Sequence, residues 1–338
     1  MRLAVVADDL TGALDASAPF AQRGARTVLA LAASGATPDD ADVVAFDTRS
    51  RHLAAPQAAA AVAACVLRLA PGVRVLKKID STLRGPVVAE IRAAAHAAGD
   101  AVDDILIAPA VPEHGRIVRA GRVLVNGQAL ERTEYARDAR SPAFVGNLCA
   151  ALAPYVARMP DCADASDMLA IARSAGPRTL LVGAAGLARA LAAAWSGPGR
   201  PQNRAPCASV LAVIGSRAQA ASRQLAALRR ARQEQAVLAA PESLGEPDAI
   251  AADLGMAAAR EMQEGAHDSL LLTGGDTARA VLAALGIDRL DIDGEILPGI
   301  PVATACWRGR RLAVATKAGG FGGDDALIRA IDALTSGR

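Results

Sequence analysis

The chain has 338 residues, of which 52% are hydrophobic but only 2% aromatic, and its 37 basic and 35 acidic side chains give a formal net charge of +2. The scarcity of aromatic rings excludes the stacking surfaces on which single-strand nucleic-acid binding depends. The longest apolar stretches are Ala-rich and shorter than the roughly 18 residues of a membrane span. We therefore expect neither a nucleic-acid nor a membrane partner.

The first half of the chain alternates short apolar runs with Ala-rich helical segments. Helices are predicted to begin near Gly12 and Pro56. Between Gly115 and Ser141 the composition changes to include Gly, Asn and Gln, which indicates a hairpin or a functional loop at a sheet edge. The predicted strands are 3–7, 28–32, 43–46, 73–77, 105–108 and 180–182. This alternation predicts a mostly parallel sheet covered by helices.

A segment rich in Pro and Gly, from Ser196 to Cys207, separates the two halves of the pattern and predicts a linker between domains at 1–200 and 207–338. The second half repeats the alternation, with strands at 210–214, 236–239, 270–272, 302–306 and 312–316 and helices at about 217–232, 248–264, 276–285 and 324–334. We expect an α/β protein of two α/β domains with mostly parallel sheets and a ligand cleft between them.

Cysteine spacing and the first residues bear on the cellular compartment. The five cysteines show no C-x-x-C or Cys/His spacing, so neither a disulfide framework nor a zinc site is predicted. The opening MRLAVVADDL lacks the basic segment and long apolar run of a signal peptide. Both features favour a cytoplasmic protein.

Lysine is rare in this chain: 34 of the 37 basic residues are Arg, and the three lysines are Lys77, Lys78 and Lys317. The compact, flexible ammonium of Lys does not substitute for the planar guanidinium of Arg. Each lysine is therefore a candidate for site chemistry, the alternative being three surface residues without a role.

Two carboxylates and a hydroxyl follow the first predicted strand, in Asp8, Asp9 and Thr11, with Gly12 next to them. Ligands of open α/β folds bind at such strand ends. These groups are able to hydrogen-bond a polyol, accept a proton or help to hold a metal. The alternative is that Asp9 or Thr11 only caps the following helix. Three such residues, where a cap needs one, favour function.

A second charged turn leaves the strand at 73–77. It concentrates ammonium, carboxylate, hydroxyl and guanidinium groups in Lys77, Lys78, Asp80, Ser81, Thr82 and Arg84. The set suits a small hydroxylated acid whose carboxylate Arg84 would grip through paired hydrogen bonds. The alternative is a solvated turn in which Ser81 or Thr82 caps a helix. Arg116 follows another strand and adds a second cation, and the neighbouring His114 is left unassigned.

Three Gly-containing loops end strands of the second half. The segments are Gly215-Ser216, Thr273-Gly274-Gly275-Asp276-Thr277, and 316–323, which carries Lys317, Gly319 and Gly320. Backbone N–H groups at such loops and at a helix N-terminus form an anion site. Three of them favour a nucleotide. Neither the P-loop pattern nor the dinucleotide glycine pattern occurs.

Taken in order, the segments ADDLTGA, KKIDSTLRG, PAVPEHGR, TGGDT and TKAGGFG resemble the four-carbon acid sugar kinase family over both halves of the chain. The resemblance implies an N-terminal domain that binds threonate, erythronate or 3-oxo-tetronate, a C-terminal domain that binds ATP, and phosphorylation of the 4-hydroxyl. It places ATP contacts at Ser216, Gly274, Gly275, Asp276, Thr277 and Gly319.

Three departures from the family pattern accompany the resemblance. The usual GGET reads GGDT, the usual GSAGL reads GAAGL at 183–187, and the chain is short between Asp138 and Leu180. These differences bear on the identity of the substrate more than on the kinase activity.

The kinase hypothesis assigns a role to each candidate residue. Asp8 or Asp9 would take the hydroxyl proton, and Lys317 or one lysine of the pair Lys77 and Lys78 would offset charge on the transferred group. The substrate would contact Thr11, Asp80, Ser81, Thr82, Arg84 and Arg116, while Gly320 would join the ATP loop. Mg²⁺ would bridge the phosphates, with its protein ligands left unassigned.

The sequence is also compatible with two other functions. One is a non-catalytic sensor of a sugar acid or nucleotide, and the other is a nicotinamide-dependent oxidoreductase, since fold alone does not determine function. The missing dinucleotide glycines count against the oxidoreductase. A homodimer is left open.

Overall fold

The computed structural model describes residues 3–31, 40–195, 206–241, 245–265 and 267–336. Most of the predicted linker at 196–207 lies outside the described residues. The described residues form two compact units, one within Met1–Ala25 and Thr37–Pro198 and the other within Arg26–Ala36 and Gly199–Arg338. We call them the N-terminal unit and the C-terminal unit.

Up to residue 195 the strands are β1 (Leu3–Ala7), β2 (Thr27–Ala30), β3 (Val43–Asp47), β4 (Arg74–Lys78), β5 (Asp104–Ala108), β6 (Arg116–Arg119), β7 (Arg122–Val125), β8 (Gln128–Ala129), β9 (Ala157–Arg158) and β10 (Thr179–Gly183). The helices are α1 (Leu10–Gln22), α2 (Ala55–Val66), α3 (Val87–Ala98), α4 (Leu148–Ala151), α5 (Ala165–Arg173) and α6 (Ala185–Ala193). Every strand predicted in this half is present, within about two residues at each end.

The main sheet of the N-terminal unit has the strand order β3-β1-β4-β10-β5-β9, and every pair in it is parallel. Strand β1, which lies between β3 and β4, is buried along its whole length, as expected for a parallel strand covered on both faces. The register sets Ala7 opposite both Asp47 and Lys78. The chain segments that leave β1, β3 and β4 therefore emerge side by side.

The segment 116–129 forms a separate antiparallel sheet of β6, β7 and β8. This confirms the hairpin predicted between Gly115 and Ser141.

The glycines of the GAAGL segment allow α6 to approach its neighbours closely. A Cβ on Gly183 would lie 2.6 Å from the carbonyl oxygen of Ala108, and one on Gly186 would lie 2.3 Å from that of Ala110. Both positions require glycine because backbone atoms occupy the space of a side chain.

In the C-terminal half the strands are β11 (Val210–Ile214), β12 (Val237–Ala239), β13 (Ser269–Thr273), β14 (Arg289–Leu297), β15 (Ile300–Trp307) and β16 (Arg310–Lys317). The helices are α7 (Gln219–Ala231), α8 (Pro247–Gln263), α9 (Gly275–Ala284) and α10 (Ala326–Ser336). The predicted helices and strands are all present, whereas β14 was not predicted because charged residues interrupt its apolar positions.

The sheet of the C-terminal unit has the order β12-β11-β13-β16-β15-β14-β2. The first four strands are parallel, and β15, β14 and β2 continue the sheet in antiparallel pairs. Strand β2 comes early in the chain but belongs to this unit because it pairs with β14. The α/β architecture of two units with largely parallel pairing confirms the expected fold class.

The cores consist mainly of Ala, Leu, Val and Ile, as the composition predicts, and they include an edge-to-face aromatic pair of Phe20 and Trp195 with ring centres 6.0 Å apart. Two lysines, Lys77 and Lys317, are among the largest fully buried side chains. All five cysteines are free. Within the described ranges, no helix has the length and apolar character needed to cross a membrane.

Candidate functional site

Asp8 and Asp9, which follow β1, share the guanidinium group of Arg51. Arg51 Nε and Nη2 lie 2.7 and 2.9 Å from the two oxygens of Asp8. Its Nη1 and Nη2 lie 2.9 and 2.8 Å from the two oxygens of Asp9. The Arg51 side chain is only 13% exposed and that of Asp8 only 2%. One arginine thus fixes both candidate catalytic carboxylates.

Asp9 also caps α1. Its Oδ1 accepts a hydrogen bond from the Gly12 N–H at 2.9 Å, and its Oδ2 accepts one from Thr11 Oγ1 at 2.6 Å. Burial favours a raised pKa for Asp9, but Arg51 and then Lys78 lower the pKa below its usual value. Asp9 therefore stays ionised, and the capping role coexists with membership of the charged cluster.

Gly12 lies where the two turns meet. A Cβ at this position would lie 2.4 Å from Asp9 Oδ1 and 3.0 Å from Lys78 Nζ. The predicted close backbone approach at Gly12 is therefore present.

The adjacent lysines of β4 have different partners. Lys77 Nζ lies 3.0 Å from Glu90 Oε2 and donates to the carbonyl oxygen of Lys78 at 2.9 Å, entirely inside the protein. Lys78 Nζ donates to the carbonyl oxygen of Ile79 at 3.0 Å and lies close enough to Asp9 to lower its pKa. Lys77 is thus part of a buried structural ion pair, and Lys78 belongs to the site.

Asp80 organises the second turn. Arg84 Nε and Nη2 lie 3.0 and 2.9 Å from its two oxygens, and Thr82 donates to it from both its N–H and its hydroxyl. Burial opposes ionisation of Asp80, yet the Arg84 hydrogen bonds and the charge of Arg51 hold its pKa well below the usual range. Asp80 already occupies one edge of the Arg84 fork, whose Nη1 lies 3.6 Å from Asp138 Oδ2.

Tyr135 connects the two arginines that the sequence suggests for a substrate carboxylate. The Arg84 guanidinium carbon lies 5.6 Å from the centre of the Tyr135 ring. Arg116 Nη2 donates to the Tyr135 hydroxyl at 3.3 Å, and Nη1 donates to the carbonyl oxygen of His114. Arg116 Nε is buried and makes no hydrogen bond to the described residues.

Arg51 and Tyr135 were not predicted as site residues. Arg51 lies in an unremarkable loop, and its one signal is that it follows the strand at 43–47, whose end shares the sheet edge with β1. Tyr135 lies in the segment 115–141, which was singled out only by composition. Ser81, predicted as a substrate contact, is half-buried at the start of the Asp80 turn.

In the C-terminal unit, the predicted nucleotide loops meet at the ends of β11, β13 and β16. The N–H groups of Gly215 and Ser216 donate to the carbonyl oxygen of Thr273 at 3.2 and 3.3 Å. The Gly274 N–H donates to the carbonyl oxygen of Lys317 at 3.0 Å. The three loops are therefore joined by backbone hydrogen bonds.

Close approach explains the glycines of this cluster. A Cβ on Gly215 would lie 1.8 Å from Thr277 Oγ1, and one on Gly319 would lie 1.8 Å from Ser216 Oγ. The structure thus brings together the predicted contacts Ser216, Gly274, Gly275, Asp276, Thr277, Lys317 and Gly319. Gly320 lies in the same loop and is exposed.

The cluster has the properties of an anion site. The hydroxyls of Thr273 and Thr316 are buried, and among the described residues they have no hydrogen-bond partner. Helix α9 begins at Gly275, so its N-terminal N–H groups and positive dipole end lie at the loop. Lys317 adds a cation whose pKa burial lowers to about 8. Together these groups suit phosphate oxygens.

Comparison with known proteins assigns a class to each unit. Residues 3–160 match the family described as a sugar-binding N-terminal domain, and residues 231–327 match the one described as a nucleotide-binding C-terminal domain. The two family matches thus lie in different halves of the chain, and their descriptions name a sugar-binding and a nucleotide-binding domain.

Full-length relatives define the family. A D-threonate kinase of Bordetella bronchiseptica is 35% identical over 405 aligned positions, which cover 99% of this chain and 98% of the relative. A D-threonate kinase of Cupriavidus necator is 34% identical, with 99% and 98% covered. A 3-oxo-tetronate kinase of Methylobacterium radiotolerans is 28% identical, with 99% of both chains covered. The chain belongs to the four-carbon acid sugar kinase family.

Solved structures support the same fold. A Bordetella bronchiseptica protein of this family, crystallised with citrate as a domain-swapped dimer, is 34% identical with a TM-score of 0.52 and covers 99% of this chain and 98% of its own. A Salmonella typhimurium structure is 21% identical with a TM-score of 0.81, covering 97% and 98%. The second likeness concerns the fold alone.

The chain is shorter than its relatives. The alignment of 405 positions with the Bordetella kinase exceeds the 338 residues of this chain by 67, so the relative has at least that many residues where this chain has none. The expected shortening is confirmed, whereas its placement between Asp138 and Leu180 stays a prediction.

Proposed function

We propose that this protein is an ATP-dependent kinase that phosphorylates the 4-hydroxyl of a four-carbon sugar acid, and that D-threonate is its preferred acid. Three relatives named D-threonate kinases are 32–35% identical over nearly the whole chain. The relatives named 3-oxo-tetronate kinases are 27–28% identical. The observation that carries the proposal is the charged cluster in which Arg51 joins Asp8 to Asp9.

The cluster offers both kinds of partner that a sugar acid needs. Its carboxylates are Asp8, Asp9, Asp80 and Asp138, and its cations are Arg51, Lys78, Arg84 and Arg116. A sugar acid brings one negative charge and several hydroxyls. Oriented carboxylates accept hydrogen bonds from hydroxyls, and the arginines attract the acid group.

The carboxylate of the sugar acid would bind to Arg84 and Arg116, the two arginines that contact Tyr135. Arg116 would donate from its Nε, which has no hydrogen-bond partner among the described residues. Arg84 would donate from Nη1, which lies 3.6 Å from Asp138 Oδ2. Arginine suits this task because its planar fork matches a carboxylate. Thr11, Ser81 and Thr82 would contact the hydroxyl groups.

Asp8 or Asp9 would orient the 4-hydroxyl and take its proton. The low pKa of Asp9 makes it a weak base. Phosphoryl transfer passes through a loose transition state that depends more on position and charge neutralisation than on early proton removal. Lys78, next to Asp9, would offset charge on the transferred group.

The C-terminal cluster would hold ATP, and its residues fit that ligand. The buried Thr273 and Thr316 hydroxyls, the α9 N-terminus and the glycine loops all provide hydrogen bonds for phosphate oxygens. Mg²⁺ usually takes one or two carboxylates with phosphate oxygens and water. Asp276, exposed in the first turn of α9, fits one such ligand. When bound, Mg²⁺ would neutralise phosphate charge.

The test is to incubate the purified protein with ATP, Mg²⁺ and D-threonate, L-threonate, D-erythronate or 3-oxo-tetronate. We expect ADP release with the highest kcat/KM for D-threonate, and ³¹P NMR of the product showing phosphate on C4. Absence of ADP release above background with all four acids contradicts the proposal. Binding of ATP and acid by calorimetry without turnover would instead identify a sensor.

Replacing Arg84 with Ala tests the acid site directly. We expect the KM for the acid to rise about tenfold or more, because a charged hydrogen-bonding group is lost. Arg178→Ala removes an exposed arginine paired with Asp103 and serves as the control. An unchanged KM in Arg84→Ala would remove this residue from carboxylate binding.

We also propose a homodimer, because the Bordetella relative crystallised as one. Sedimentation velocity of the full chain at micromolar concentration is expected to show twice the mass of 34.3 kDa. A single species at the monomer mass contradicts this.

A further inference from the structure

The glycine-rich loop 318–323 is held from its buried side by Lys317. The ammonium donates to the carbonyl oxygens of Ala318 at 2.8 Å and Phe321 at 2.9 Å. Lys317 is only 1% exposed, and among the described residues no carboxylate forms an ion pair with it. The loop carbonyls therefore provide the partners of this buried charge.

Gln224 of α7 holds the rest of the loop. Its Nε2 donates to the carbonyl oxygens of Phe321, Gly322 and Gly323 at 2.9, 3.0 and 3.0 Å. The Gln224 side chain is completely buried. Gln224 belongs to none of the sequence motifs. It lies 97 residues from Phe321 along the chain, so no local pattern connects it with the loop.

The N–H groups of the same loop contrast with its carbonyls. Phe321 donates its N–H to the carbonyl oxygen of Ala318 at 3.2 Å. The N–H groups of Gly319, Gly320, Gly322 and Gly323 have no acceptor within the described part of the chain. Four of the six loop carbonyl oxygens, those of Ala318, Phe321, Gly322 and Gly323, are thus bound inside the protein, and four N–H groups have no acceptor among the described residues.

We propose that Lys317 and Gln224 are positioning residues that convert loop 318–323 into a nest for the phosphate groups of a nucleotide. Carbonyl oxygens would repel phosphate, and binding four of the six from the buried side favours an arrangement in which N–H dipoles face the anion. The uncompensated charge of Lys317 adds attraction through the loop. This inference rests on the proposed nucleotide-binding role of the C-terminal unit.

The test measures pyrophosphate binding by calorimetry to the full chain and to Gln224→Leu and Lys317→Met. We expect each variant to weaken binding about tenfold or more, because the loop loses the donors that orient it. Gln235→Leu is the matched control, since Gln235 Nε2 also binds backbone carbonyls, those of Val210 at 2.6 Å and Ala236 at 3.4 Å. The control is expected to bind pyrophosphate as the wild type does.

A purely structural role would lower the melting temperature and leave the Kd of the folded protein unchanged. Unchanged Kd values in both variants, measured well below their melting temperatures, overturn the inference. For variants that do not fold, the wild type labelled with ¹⁵N-glycine answers the question. Shifts of loop glycine amides on adding pyrophosphate support the nest, and bound pyrophosphate without such shifts overturns it.

The two proposals fail separately. If the protein binds pyrophosphate through the loop but phosphorylates none of the four acids, the proposed kinase function fails and the nest stands. If the protein is a kinase whose Gln224→Leu and Lys317→Met variants bind pyrophosphate normally, only the nest fails.

Discussion

In the N-terminal unit the segments leaving β1, β3 and β4 carry charged side chains that bind one another, whereas in the C-terminal unit the segments leaving β11, β13 and β16 present backbone groups. Arg51, Asp8 and Asp9 form one cluster in the first unit. Gly215, Gly274 and the loop 318–323 form the other. Both sites use the carboxyl edge of parallel strands, yet one offers fixed side chains for a small acid and the other offers N–H groups for phosphates.

The two fully buried lysines show the same contrast. Among the residues that the structure describes, Lys77 has a carboxylate partner in Glu90, and the partners of Lys317 are carbonyl oxygens. A buried ammonium without a counter-ion is costly, which is why burial lowers the pKa of Lys317 to about 8. The charge at Lys317 is tolerated where an anion is expected to bind.

Among the variants that test this difference between the two sites, Arg51→Met should have the largest effect on stability and activity. It leaves Asp8 and Asp9 without their shared cation, and breaking a buried ion pair costs about 3–5 kcal/mol of unfolding free energy. We also expect kcat/KM to fall by at least about 10²-fold because both oriented carboxylates lose their support. Urea denaturation and steady-state kinetics measure the two effects. Arg178→Met removes an arginine from an exposed ion pair and should have the stability and kcat/KM of the wild type. Wild-type stability and kcat/KM in Arg51→Met would contradict the importance of the cluster.

Acid unfolding tests the depressed pKa values of the N-terminal site. The folded pKa values of Asp9 and Asp80 lie below 3.8, so the stability that these groups contribute is present above about pH 4 and lost as pH falls below it. Between pH 6 and pH 2.5 the unfolding free energy of Asp80→Asn should therefore fall by about 2 kcal/mol less than that of the wild type. Urea titrations from pH 6 to pH 2.5 measure it, with exposed Asp253→Asn as the control. Parallel pH profiles for wild type and Asp80→Asn would contradict the assignment.

Gly319→Ala tests the close approach in the C-terminal site. Its Cβ would meet Ser216 Cβ at 2.6 Å, so the loop must shift. We expect the KM for ATP to rise about tenfold while the KM for the acid is unchanged. Gly176→Ala, where the nearest atom outside the chain neighbours is 3.6 Å away, is the control. Normal ATP kinetics in Gly319→Ala would mean that the loop tolerates displacement.

The smallest expected effect concerns Lys317 and alkaline pH. Its folded pKa of about 8 lies below the usual 10.5, so between these values the unfolded chain binds a proton that the folded protein does not. Unfolding free energy of the wild type relative to Lys317→Met should therefore rise by about 1 kcal/mol from pH 8 to pH 9.5. Urea denaturation at both pH values measures this. If the difference in unfolding free energy between the wild type and Lys317→Met stays constant or falls from pH 8 to pH 9.5, Lys317 does not titrate in this range.

The order of strands and helices could largely be predicted from the sequence. Strands such as Leu3–Ala7 and Val210–Ile214 are short apolar runs, and helices such as Pro247–Gln263 are Ala-rich runs with a clear start. Strand Arg289–Leu297 was missed because charges alternate with its buried residues. Its pairing with Thr27–Ala30, far away in the chain, has no local signal.

By itself the sequence determined the α/β class, the turns that carry chemistry and the family, because short-range periodicity and motif composition encode them. Only the tertiary structure decided which lysine does what: Lys77 pairs with Glu90, Lys78 joins Asp9, and Lys317 lies beneath a loop. It also revealed Arg51, 42 residues from Asp9, and Gln224, 97 residues from Phe321. Such contacts depend on how strands pair and helices pack, which no local pattern of residues specifies.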